Sequence, residues 1–175
     1  ELLNEAVCIS KGMYEQLKNS SFGFSKAECA CEIKLPSVKI YGRIDRVDES
    51  GDMVRIIDYK TGNIDSAAAK YYTGAKLQLP LYLLAVSEGK RAVGAYYFPA
   101  SLEYKDRQDG VFRLQGFMDG SEDVVAASDN SAEPKKKSDY VNAYLSGGRV
   151  ESAMQQSDFT DFLQYSVLVA ETGVA

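Results

Sequence analysis

Apolar and polar positions divide this chain into segments of two different periods. Leu2, Leu3, Ala6, Val7, Met13, Tyr14 and Leu17 fall roughly on one helical face, and Asn19-Ser20-Ser21 with Gly23 ends that helix. From Lys26 the period drops to two. Ala27, Cys29, Cys31, Ile33 and Leu35 alternate with Lys26, Glu28, Ala30, Glu32 and Lys34, which predicts a strand closed by the Pro36-Ser37 turn. Val38–Asp48 and Met53–Lys60 read as the arms of a hairpin around Glu49-Ser50-Gly51-Asp52. Residues 65–74 are polar and alanine-rich, a loop or a short helix. Ala75–Val86 predicts a helix closed by Gly89, in which Pro80 removes one hydrogen bond, and less if the helix starts near Leu77. Ala92–Pro99 predicts a strand of high β-propensity, residues 110–115 a further strand and residues 121–127 a short helix. The polar run from Ser128 to Asp139 predicts a mobile loop. Ser157 or Asp158 would cap a last helix with Phe159, Phe162, Leu163, Val167 and Ala170 on one face. The order is helix, three strands, helix, strand and a mixed tail. It predicts an α/β or α+β single domain with a helix packed on a mixed sheet.

The hairpin carries polar residues where the pattern calls for apolar ones. Asp45 sits among Ile40, Ile44 and Val47, and Asp58 follows Ile56 and Ile57, with Lys60 two residues on. A turn centred between Ser50 and Gly51 sets Asp45 opposite Ile56 and Asp58 opposite Arg43. Both carboxylates and Lys60 then share one face, with the carboxylates diagonal neighbours roughly 7–8 Å apart at Cα. Such a pair can share a hard cation, and a lysine beside it can orient water or neutralise charge on a phosphate oxygen. The plainer reading is a partly buried salt-bridge cluster, which is the better one for an isolated D…DxK. Gln78 and Tyr82, four apart on the following helix, share a face and could hold a water or a phosphate oxygen. Alone, they read better as a solvated amide and a core tyrosine.

Composition narrows the chemistry. The 175 residues, 45% of them hydrophobic, suffice for one domain with a core, and no apolar run is long enough to span a membrane. The first residues, Glu-Leu-Leu-Asn-Glu, lack a signal peptide and a Met, so an excised fragment of a longer protein is expected. Cys8, Cys29 and Cys31 have no metal-site spacing and are expected as buried thiols of a reducing, cytoplasmic compartment. The absence of histidine excludes His-based triads, general bases and zinc clusters. The net charge of −5 argues against a generic nucleic-acid coat. Between Lys34 and Arg91, however, ten Lys/Arg face seven Asp/Glu, a balance of +3 around the hairpin.

Three stretches taken together carry a resemblance. Gly42-Arg43-Ile44-Asp45-Arg46, then Ile57-Asp58-Tyr59-Lys60-Thr61-Gly62, then Gln78-Leu79-Pro80-Leu81-Tyr82 resemble the RecB-type branch of the PD-(D/E)XK nucleases, whose pattern is GxxDR, (I/V)DYK(T/S)G and QxxxY in this order. Tyr71–Leu83, the strand GAYYFPA and Phe112–Asp129 are similar to the C-terminal nuclease domain of AddB (RexB) subunits of bacterial helicase–nucleases. The resemblance covers roughly residues 26–170, patchily after Ala100. It implies a restriction-endonuclease-like core at about 26–100, a mixed central sheet flanked by helices, with a C-terminal extension over 101–175. It implies that Asp45 and Asp58 ligate Mg²⁺, with Mn²⁺ as the alternative ion and the Tyr59 backbone carbonyl as a third ligand. Lys60 would be the catalytic lysine, Gln78 and Tyr82 would position the scissile strand, and Arg43 and Arg46 would join them in binding DNA. The implied activity is a DNA exonuclease in double-strand-break repair and recombination, with DNA and an AddA-type helicase–nuclease subunit as partners.

Two departures stand out. The family's further metal ligand, a His or Glu on an upstream helix, has no match, since Glu5 and Glu15 lie in no matching motif. The iron–sulfur cluster of AddB-type domains uses one cysteine before the core and three after it. Cys8, Cys29 and Cys31 do not match, so any cluster would use cysteines of the parent protein outside this sequence. A phage or CRISPR-associated exonuclease, or an inactive DNA-binding module of the same fold, are the other readings.

Overall fold

A computed structural model describes residues 2–62, 64, 76–100, 112–146 and 152–173. Residues 65–74, expected as loop or short helix, lie outside the described residues. The first helix, α1, spans Leu2–Lys18 as its apolar spacing predicts. Three antiparallel strands follow: β1 Gly23–Lys34, β2 Lys39–Ser50 and β3 Met53–Lys60. Helix α2, Gln78–Val86, crosses over to β4, Arg91–Pro99, which runs parallel to β3. Pro80 is the third residue of α2, in the first turn, where its missing N–H has no partner to lose.

The fifth strand, β5, is Gln115–Asp119, starting where the expected strand at 110–115 would end. Gly116 sits inside β5. It takes a φ of +150, and a Cβ there would lie 2.2 Å from the Ala95 carbonyl oxygen, so the glycine marks close approach to β4. Helix α3 is Glu122–Ser128 with Ser121 at its N-cap, close to expectation. Strand β6, Ala153–Met154, pairs parallel with β5, and helix α4 spans Gln156–Thr172. Its N-cap is Gln155, with no side-chain cap bond, so Ser157 and Asp158 lie within the first turn and do not cap it. The result is a mixed six-stranded sheet in the order β1 to β6, flanked by helices.

Each face of the sheet carries a core. One packs Val47, Val54, Ile56, Ala95 and Phe117 against Leu79 and Leu83 of α2 and Phe159, Phe162 and Leu163 of α4. The other gathers Ile57, Tyr96, Phe98 and Met118 with Phe22, Val124, Val125 and Val141, and α1 adds Ile9 and Met13 at its margin. Segment 101–175 thus contributes to both cores. The cysteines are free and half-buried. Among the described residues no helix is long and apolar enough to cross a membrane.

The expected mobile loop from Ser128 to Asp139 is ordered instead. Asp129 is 2% exposed, and its carboxylate accepts bonds from Ser131 N and Oγ at 2.9 and 2.6 Å, Ser138 Oγ at 2.8 Å and Asp139 N at 3.3 Å. Polar composition here serves a hydrogen-bonded turn system built on one buried carboxylate.

Candidate active site

The hairpin turn has Gly51 and Asp52 as its two central residues, because Ser50 pairs with Met53. Gly51 adopts φ +59, which a serine in the first central position would adopt only under strain. The register therefore differs by two residues from the expected one. Asp48 pairs with Arg55, Val47 with Ile56 and Arg46 with Ile57, so Ile56 is not opposite Asp45, and Asp45 and Asp58 are the next residues on each strand past the last pair. A shift of two preserves the face, so both carboxylates still project together.

Pairing between β2 and β3 stops there. Before Arg46, β2 pairs only with β1, while Asp58, Tyr59 and Lys60 pair with Tyr97, Phe98 and Pro99 of β4. The alternation of β2 also slips at this point, since Ile44 and Val47, three apart, pack in the same core. The sheet forks, and Asp45 stands in the fork. Its Oδ2 accepts a hydrogen bond from the Tyr59 N–H at 2.9 Å, satisfying an amide at the end of the ladder.

Asp58 is 9% exposed, and Lys60 Nζ lies 2.7 Å from its Oδ2. Burial pushes the Asp58 carboxyl above the usual carboxylate range. The Lys60 ammonium opposes this, and the charge of Asp45 adds to it. Bonding to Asp58 raises Lys60 in turn, against desolvation, with Tyr97 and Asp45 helping. The Lys60 ammonium also lies 5.4 Å from the centre of the Tyr97 ring, a cation–π distance. Tyr97, beside Asp58 in the parallel register, is a site residue that local sequence patterns do not reveal, since parallel pairing is non-local.

Tyr82 reaches this region from α2. A Cβ on Gly42 would fall 2.1 Å from the Tyr82 hydroxyl oxygen, so the phenol lies against the bare backbone three residues before Asp45. Gln78 is exposed at the first turn of α2, one turn from Tyr82. Arg43 is exposed and paired with Glu28 at 3.3 Å. Arg46 departs from expectation. It is 1% exposed on the opposite face, where it grips Asp48 through two bonds of 2.7 Å instead of presenting its guanidinium to the surface. The slip at Asp45 and the burial of Asp48 bring Arg46 inward.

The chain's own donors in the fork are two carboxylates, a set that fits a Mg²⁺ whose other positions belong to water and substrate phosphate. Among the described residues, no third His, Cys, Asp or Glu completes a metal-binding group. Glu15, one of the two upstream acids considered, bonds to Asn19 at the end of α1.

Comparison with known proteins agrees with this architecture. Residues 8–170 match the PD-(D/E)XK nuclease superfamily. An ATP-dependent helicase/deoxyribonuclease subunit from Clostridium perfringens (strain ATCC 13124) is 32% identical over 149 residues, covering 69% of this chain and 13% of that protein. The protein of the same description from Carboxydothermus hydrogenoformans is 34% identical over 143 residues, covering 79% and 11%. That of Symbiobacterium thermophilum is 44% identical over 84 residues, covering 39% and 7%. The chain therefore spans 13% or less of the length of these relatives. A family match over 8–170, on a forked mixed sheet that brings Asp45, Asp58 and Lys60 together, means that this chain belongs to the PD-(D/E)XK nuclease superfamily.

Proposed function

We propose that the chain is a Mg²⁺-dependent deoxyribonuclease domain of a helicase–nuclease subunit, acting as an exonuclease in double-strand-break repair and recombination. The observation that carries this reading is the sheet fork itself, where Asp45 accepts the Tyr59 N–H at 2.9 Å beside Asp58, and Lys60 lies 2.7 Å from Asp58. The relatives described as helicase/deoxyribonuclease subunits support DNA as substrate and a helicase-bearing partner subunit of AddA type. One nuclease domain would span 1–175, since residues after 100 complete the same sheet and both cores.

Asp45, Asp58 and the Tyr59 backbone carbonyl would hold the metal, Mg²⁺ or Mn²⁺. When bound, such an ion supplies Lewis-acid stabilisation and a more acidic water. The chain's own residues do the rest. Water attacks phosphorus, the bond to the leaving oxygen breaks, and a phosphate end and a hydroxyl end result. Lys60 offsets negative charge gathering on the phosphate oxygens. Gln78 and Tyr82 hold the strand by amide and phenol, and Arg43 contacts a neighbouring phosphate from the exposed face. Tyr97 restrains Lys60 from below.

The short Asp58–Lys60 pair also favours a second reading, an inactive module held by a structural salt bridge. Two measurements separate them. Asp58→Ala and Lys60→Ala in the native protein should reduce Mg²⁺-dependent DNA cutting by about a hundredfold or more. Undiminished cutting would sink the proposal. Calorimetry should show Mn²⁺ binding that Asp58→Ala abolishes, whereas a structural pair predicts no such binding.

A further inference from the structure

Behind the fork, on the face away from the carboxylates, lies a second charged group. Arg46, Asp48 and Arg55 are 1%, 0% and 0% exposed. Arg46 Nε and Nη2 donate to the two oxygens of Asp48 at 2.7 Å each, and Arg55 Nε and Nη2 donate to Asp48 Oδ2 at 3.1 and 3.0 Å. Asp48 and Arg55 are direct partners across β2 and β3. The geometry points to these three side chains as a register lock, positioning residues that hold Asp45 beside Asp58 and Tyr59 at the fork.

Any other register breaks this group. A slip of two residues sets Asp48 opposite Met53 or Ile57 and removes Arg55 from its carboxylate. A slip of one turns the side chains to the other face. Either leaves a guanidinium buried without its anion, so the alternatives are strongly disfavoured. Arg46 also follows Asp45 directly, and Tyr59 follows Asp58. The Tyr59 hydroxyl helps to support the charge on Arg46 from behind, while the Tyr59 N–H bonds to Asp45 in front. The two strands are thus gripped from both sides at the point where they part.

The group is poorly suited to a purely stabilising role. Two cations share one anion, and Nη1 of each arginine lacks a hydrogen-bond partner in good geometry among the described residues. Buried charges of this kind add little net stability over apolar packing, and specifying a register is their best-attested use.

The enzymatic part of the test rests on the nuclease reading, whereas the structural part does not. Arg46→Met keeps side-chain length and leaves Asp48 bonded to Arg55. Hydrogen exchange of the Tyr59 amide should accelerate about tenfold or more while the Ala95 amide in β4 keeps its protection. Mn²⁺ affinity by calorimetry and DNA cutting should fall by about tenfold, as for supporting shells of metal sites. Arg46→Lys should recover part of each. A folded Arg46→Met protein with a lower melting temperature but unchanged Tyr59 exchange and Mn²⁺ affinity would overturn the lock. Should Arg46→Met fail to fold, Arg46→Lys carries the same comparison, and unchanged Tyr59 exchange there overturns it equally. Absent Mn²⁺ binding in the unsubstituted protein would count against the nuclease reading alone, with the exchange comparison still deciding the lock.

Discussion

Gly42 has no side chain because Tyr82 fills the space that one would take. The nearest atoms to a Cβ there are Oη, Cζ and Cε1 of that ring, at 2.1 to 2.4 Å. Two stretches far apart in the sequence, GxxDR and QxxxY, meet at this contact. Gly42→Ala should push the phenol aside. Because the obstruction is the far end of a side chain, the loss of stability should sit at the low end of overpacking, about 1 kcal/mol. The loss in DNA cutting should be much larger, because Tyr82 leaves its station against Gly42 in the GxxDR stretch. Thermal melts alongside nuclease rates check this, and equal small effects on both would remove Tyr82 from the site.

At the level of elements, the hairpin concentrates both the site and its support. Asp48→Ala leaves two guanidiniums buried without their shared carboxylate, and stability should fall by about 3–5 kcal/mol. A urea midpoint shift reads this directly. The Lys90–Glu49 contact beside the hairpin's turn is partly exposed, and its loss should change stability by about 1 kcal/mol or less. Much of this element was legible in the sequence. Period-two patterning fixes both arms, and parity places Asp45, Asp58 and Lys60 together even though the register differs by two. Two things were not legible. The turn position depends on which residue takes positive φ, a matter of one dihedral at Gly51. The inward turn of Arg46 depends on the slip at Asp45, which local alternation does not encode. The β3–β4 pairing that brings Tyr97 to Lys60 is parallel and bridged by α2, so its register lay beyond any local pattern.

In the molecule as a whole, a buried polar layer lies within the second core. Tyr96, fully buried, faces Arg55, Asp119 and Ser128. Burial pushes its hydroxyl far above the usual tyrosine value. The charge of Arg55 opposes this, and that of Asp119 adds to it. In the unfolded chain the same phenol ionises near about pH 10. Above that pH the unfolded state binds fewer protons than the folded one, so stability falls as pH rises. Tyr96→Phe should flatten this alkaline decline in pH-dependent melts, and an unchanged slope would assign the decline to other groups. The C-terminal extension completes the same body, and its Asp129-centred turn carries a consequence for how the chain survives among proteases. Lys135, Lys136 and Lys137 form an attractive target for a trypsin-like enzyme. Cleavage, however, requires several residues to peel away as an extended strand. Here Asp129 tethers Ser131, Ser138 and Asp139 on either side, and Lys135 N–H is bonded to Leu145 and Ser146 carbonyls at 3.1 and 3.0 Å. The basic run is displayed on the surface without being offered for cutting.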